Sequence, residues 1–144
     1  MLSGGMNEEQ KNEVKKCAVN GSLRLLYVTR IMPVVKAMKA YKQEKLNCAQ
    51  SVLRGFQEHL SVDEDQIAAA KQLGGGRAEN GCCGALYAAG LLIREEEAKE
   101  SIRLRFIAEA GSDKCREIRK LGRLSCGECV ELAAGLLLEK LAIR

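Results

Sequence analysis

Cysteine is the residue type here whose number and spacing point to chemistry. Seven occur: Cys17, Cys48, Cys82, Cys83, Cys115, Cys126 and Cys129. The thiolate is both a nucleophile and a soft-metal ligand, so many cysteines in a reducing compartment point to metal, cluster or redox chemistry. Cys126-Gly127-Glu128-Cys129 is a C-x-x-C, a spacing shared by dithiol oxidoreductases and metal sites. The thioredoxin form of that motif sits in a βαβ unit, and no strand pattern accompanies it here. Cys82 and Cys83 are adjacent. Neighbours rarely bind one metal ion together, so one is expected to be a ligand and the other a bystander or redox partner. Cys17 fits the apolar stripe of its own segment and reads as packing.

Other chemistries lack their residues. A structural zinc site would show two C-x-x-C knuckles, and the chain has one. The close ferredoxin spacing and the C-x-x-C-H of covalent haem are absent. His59 is the sole histidine and falls at a helix end, which suits a surface or capping role. Glu95, Glu96 and Glu97 read as a solvated face. Gly74-Gly75-Gly76 is not a phosphate loop, since no Gly-Lys-Ser/Thr follows.

The elements that must position the cysteines are helices. Asn7–Asn20 reads as a polar helix, and Ser22–Met32 fits helix or strand, with helix favoured by context. Pro33 suits the first position of a new helix that ends near Lys45. Asn47 is an N-cap for a helix with Ala49, Val52, Leu53, Phe56 and Leu60 on one face. Ser61 and Glu64 form a capping box for a helix running to about Leu73. A glycine-rich loop follows, then an apolar helix from Cys83, a charged helix over Glu95–Glu109 stopping at Gly111, and a short helix capped by Ser112 and Asp113 that holds Cys115. Ser125 and Glu128 form a second capping box, for a last helix running to about Leu141. The pattern predicts an all-α, single-domain bundle of six or seven helices. Residues 1–32 form an N-terminal extension with a helix, and 33–144 a cysteine-rich helical redox domain.

Cys48, Cys83, Cys115 and Cys126 all fall on predicted helix starts. Unpaired N–H groups and the helix dipole put partial positive charge there, which favours thiolates and anionic cofactors. An iron–sulfur cluster on four thiolates is such a cofactor. Glycines before Cys83 let backbone amides approach closely. These four cysteines are therefore the candidate cofactor and metal ligands, with Cys82 and Cys129 as alternates and Cys126/Cys129 as a candidate dithiol.

Composition bounds the rest. The chain has 144 residues, 47% hydrophobic and 29% charged, with a net charge of +4. That length buries a core without disulfide staples. Lysine and arginine interleave with acids, and three tyrosines, two phenylalanines and no tryptophan offer no stacking platform, so nucleic acid ranks last among partners. No secretory signal and no apolar run of membrane length is visible. The expectation is a cytoplasmic protein that works with a redox partner protein and dimerises through an exposed apolar face of a terminal helix.

The pieces Asn47-Cys48-Ala49-Gln50-Ser51-Val52-Leu53, Gly74-Gly75-Gly76, Cys83-Gly84-Ala85-Leu86, Cys115-Arg116-Glu117 and Cys126 followed by Val130 appear in an order that resembles the redox-active proteins named for the pattern C–GCAxxG–C–C. The likeness runs from about Lys39 to the C-terminus. It implies a small helical redox protein. The same module resembles the iron–sulfur part of split-Soret cytochromes, which makes a cluster the sharper reading and implies Cys83 over Cys82 and Cys126 over Cys129. Departures are Ala88 in place of the later glycine, a slightly shortened loop before Cys83, and Cys82 and Cys129 as extras. The leading expectation is electron transfer or redox sensing through a four-cysteine iron–sulfur or metal site, more an electron carrier or sensor than a self-sufficient enzyme. The rivals are a metal-free thiol–disulfide protein and a helical DNA-binding regulator.

Overall fold

A computed structural model describes residues 21–142, with side chains from residue 31 on. The readings for Asn7–Asn20 and Cys17 fall outside those residues. Eight α-helices run in order: α1 (Gly21–Lys42), α2 (Cys48–Gly55), α3 (Gln57–Leu60), α4 (Glu64–Ala69), α5 (Gly84–Leu91), α6 (Glu96–Ala110), α7 (Cys115–Leu121) and α8 (Cys126–Ala142), with 3₁₀ turns at Ala70–Leu73 and Glu79–Gly81. Among the described residues the only extended pairing is an isolated antiparallel bridge between Cys82 and Lys114, so the protein is all-α. No helix among the described residues is long and apolar enough to cross a membrane.

Helix α8 is the axle. Cys129, Val130, Leu132, Ala133, Ala134, Leu136 and Leu137 are buried along it, a set too wide for one stripe. A helix apolar on several sides must be covered on several sides. Helices α1, α2, α5 and α6 do so. Phe56 and Phe106, both fully buried, fill the space between the layers.

Three local expectations change. Pro33 lies inside α1 and does not begin a helix. Its ring removes one backbone hydrogen bond, but the packing of α1 on α2 and α8 holds the helix through it. The approach is close: a Cβ on Gly55 would sit 2.4 Å from the Pro33 carbonyl and 2.8 Å from Ala37 Cβ. The helix expected from Asn47 to Leu60 breaks at Phe56, whose φ/ψ of −99°/9° leaves the helical range, which brings the count to eight. Ser61 is left-handed (φ 55°) and ends α3. An N-cap needs extended backbone, so the capping box moves to Asp63 and Gln66.

The caps of α2 and α8 match their residues, while that of α7 does not. Asn47 Oδ1 accepts from Gln50 N at 2.8 Å while Asn47 N donates to Gln50 Oε1 at 3.2 Å. Ser125 Oγ accepts from Glu128 N at 3.1 Å and Ser125 N donates to Glu128 Oε1 at 2.9 Å. At α7 the cap position falls to Lys114. Ser112 Oγ accepts from Lys114 N and donates to Glu117, while Asp113 is drawn off by Arg103 at 3.1 Å.

Candidate functional site

Helices α2, α7 and α8 begin with Cys48, Cys115 and Cys126, and Cys83 is the N-cap of α5. The starts of α2, α5 and α7 are brought together by ties that the capping pattern alone does not reveal. Asn47 Nδ2 donates to Lys71 O at 2.9 Å, and Gln50 Nε2 donates to Ile67 O at 3.2 Å. These two residues therefore cap α2 and also hold the segment entering the glycine loop against it. Arg77 Nε closes that loop by donating to Gly74 O at 2.9 Å. Cys83 N then donates to Asp113 O at 2.8 Å, next to the Cys82–Lys114 bridge. This clasp sets the start of α5 beside the start of α7.

Two glycines make the sulfur approaches feasible. A Cβ on Gly84 would lie 2.6 Å from Cys48 Sγ and 2.8 Å from Leu73 O. Residue 84 must therefore be glycine for the Cys48 sulfur to sit against the first turn of α5. A Cβ on Gly127 would meet the Tyr41 ring at 3.3 Å. Its absence lets Tyr41 lie on the first turn of α8.

The sulfurs meet in pairs. The Cys48 and Cys126 sulfurs act on one another as one pair, and the Cys83 and Cys129 sulfurs as another. In the first pair Cys126 holds the charge. The Cys48 thiol donates to it, Tyr41 donates as well and Arg119 stands nearby, so its pKa falls to about 6. Cys48 is pushed up by keeping the shared proton, and Tyr41 rises to about 12 for the same reason. In the second pair the Cys129 thiol donates to Cys83 and lowers it, helped by backbone amides of Leu86 and Ala85, while Cys129 is raised. Those amides are the free donors of a helix start. Cys115 feels the charges of Cys83 and Cys126; burial raises its pKa and Arg119 opposes the rise.

The adjacent cysteines part company. Cys83 is 4% exposed and turned to Cys129, whereas Cys82 is half-buried, lifted to about 12 chiefly by burial, and lines a separate hollow of about 320 Å³ with Leu86, Tyr87 and Arg103. Cys129, carried in the sequence as an alternate, belongs to the sulfur group through Cys83. Tyr41 and Arg119 were missed. Neither lies near Cys126 in the sequence pattern of helix starts that picked out the cysteines. His59 packs edge-on to Phe56 at 6.3 Å, away from the cysteines, which fits its bland reading.

With that geometry in view, the comparison with protein families is decisive. Residues 46–140 match the family described as "Putative redox-active protein (C_GCAxxG_C_C)". The chain belongs to that family. The match starts one residue before the Asn47 cap and ends within α8, so it takes in every described cysteine of the site. Among curated proteins nothing matches the chain, and among solved structures nothing does.

The donor set can be tested against a metal or cluster. Its chemistry is all thiol, on helix starts, with amides directed at sulfur; that suits an anionic, thiolate-held centre. Among the described residues no three or more Cys, His, Asp or Glu side chains are gathered at the spacing of a single metal ion. A single tetrahedral ion needs four donors around one point.

Proposed function

We propose that the chain carries electrons, or senses redox state, through an iron–sulfur cluster held by Cys48, Cys83, Cys115 and Cys126. The observation that supports this is the convergence of four helix-start cysteines whose sulfurs act electrostatically on one another. When bound, such a cluster supplies a one-electron couple. The chain's own groups stabilise negative charge at the sulfurs. Leu86 and Ala85 amides donate to Cys83, the Ala49 amide donates to Cys48, and Tyr41 donates to Cys126. Burial of Cys48 and Cys83 keeps water from those sulfurs. The test is purification without oxygen, followed by iron analysis and a visible spectrum. Iron bound and lost together in Cys48→Ser and Cys126→Ser supports the reading. A colourless, iron-free protein after reconstitution would sink it.

A second reading is thiol–disulfide exchange without metal. It is favoured by one pairing, the Cys126 sulfur lowered by the neighbouring Cys48 thiol. The dithiol would then be Cys48/Cys126 in place of Cys126/Cys129. Its oxidation would remove two electrons, release the Cys48 proton and leave one sulfur–sulfur bond. Thiol mapping by mass before and after mild oxidation separates the two readings.

A further inference from the structure

Residues 114–123 read Lys-Cys-Arg-Glu-Ile-Arg-Lys-Leu-Gly-Arg, five cations and one acid. Their sum, 5 − 1 = +4, equals the net charge of the entire chain. The segment that carries the site cysteine Cys115 is therefore strongly cationic. Beside that segment lies an open hollow of about 630 Å³. Gly75, Gly76 and Gly81 form one wall, and Lys114, Arg116 and Arg119 the other. Cys115 also lines it.

Three observations make the hollow more than a gap. Lys114, Arg116 and Arg119 make no ion pair with a carboxylate among the described residues, whereas Arg54 and Arg103 each have two and Arg105 has one. Glu117, the acid on the rim, is engaged with the Ser112 hydroxyl at 2.9 Å. Gly76 has φ +82°, and a Cβ there would come to 3.5 Å from Cys115 Cβ and 4.0 Å from its sulfur. The glycine keeps the space over that sulfur open. Arg119 also acts electrostatically on Cys126 and Tyr41, so the cationic wall bears on the thiolate pair behind Cys115 as well. The volume is that of a small-molecule site. Unpaired cations around a concave surface focus the field and concentrate anions.

We propose that this hollow is the port at which the cysteine site exchanges electrons with small anionic redox reactants, gathered over Cys115 by Lys114, Arg116 and Arg119. The inference rests on the site being redox-active, in either chemistry given above, and adds the charge class of the reactant. One electron passes from the reduced site to each molecule of a one-electron acceptor, which leaves more negative and is released.

The test uses the whole chain, reduced, with two oxidants of opposite charge: ferricyanide and hexaammineruthenium(III). Oxidation by ferricyanide is expected to slow about tenfold as salt is raised from low to physiological and above, and oxidation by the ruthenium cation to quicken or stay unchanged. Arg116→Glu/Arg119→Glu should slow ferricyanide by a further tenfold or so and speed the cation. Arg94→Glu/Lys140→Glu makes the same change in net charge away from the hollow and should do neither. Equal effects of the two double variants would overturn the proposal, since net charge alone would then explain the rates. Loss of the salt effect would overturn it too. Iron analysis on the same samples keeps the readings apart: charge preference without iron removes the cluster alone, and iron without charge preference removes the port alone. No oxidation by either reagent would take down the port together with the redox reading beneath it.

Discussion

The two thiol pairs are built from similar parts and placed differently. Cys48 and Cys126 both open helices, and Cys126 is half-buried next to Tyr41 and Arg119. Cys83 and Cys129 are both buried, and Cys129 lies inside the first turn of α8, three residues after the start. In each pair one sulfur is lowered and the other raised, and the lowered one has the extra donors. The difference lies in access. The first pair has a phenol hydroxyl and a guanidinium around its thiolate, groups that communicate with solvent. The second is enclosed by hydrocarbon and backbone. Buried sulfur hydrogen bonds serve structure and tuning, while a thiolate near the surface can exchange electrons or protons.

The largest effect that breaks this comparison is removal of one sulfur at a time. Cys48→Ala and Cys126→Ala are expected to abolish iron loading, and Cys129→Ala to retain it with a shifted potential, because Cys83 loses its thiol donor. Iron stoichiometry after anaerobic reconstitution reads this out; loss of iron in Cys129→Ala would place that residue among the ligands. Next comes Gly84→Ala. Its methyl would press on Cys48 Sγ and the Leu73 carbonyl, a clash expected to destabilise the fold by about 1–3 kcal/mol. Denaturant unfolding measures the loss, and thiol reactivity at Cys48 should rise with it. Ser125→Ala removes the Oγ that accepts from Glu128 N at the start of α8 and should cost about 1 kcal/mol.

The smallest effect concerns protons. Cys126 is lowered to about 6, so its thiolate is present above that pH and lost as pH falls through it. In the metal-free protein a Cys48/Cys126 couple should therefore release one proton per two electrons at neutral pH, and its potential should fall by about 30 mV per pH unit. Below about pH 6 two protons accompany two electrons and the slope should double to about 60 mV. Tyr41→Phe deletes a donor to Cys126 and should move the break upward. A slope of about 60 mV throughout would mean that Cys126 carries its proton at neutral pH.

Much of the frame was legible because its signals are local. Asn47 as an N-cap, Ser125 with Glu128, and Gly111 at a helix end act within four residues, and the structure keeps each one. The misreadings arise where distant packing overrides local preference. Pro33 looks like a helix start until α2 is known to lie across it, and Ser61 looks like a cap until its left-handed backbone is seen. Cys129, Tyr41 and Arg119 act on sulfurs through contacts between separate helices. No spacing in the sequence announces those. Cys126 and Cys129 suggested a pair because they are near in the chain; the structure adds influences across helices, of Cys48 on Cys126 and of Cys83 on Cys129.

The clasp between Cys82–Cys83 and Asp113–Lys114 bears on how the protein is made. Cys48 emerges early in synthesis and Cys126 late, and the clasp closes only when both of its strands of chain are free to meet. Until α8 arrives, the Cys48 sulfur lacks its partner and the apolar faces of α2 and α5 lack their cover. Assembly of the thiol site is thus tied to completion of the bundle, and a nascent chain exposes reactive sulfur without yet offering a finished place for anything to bind it.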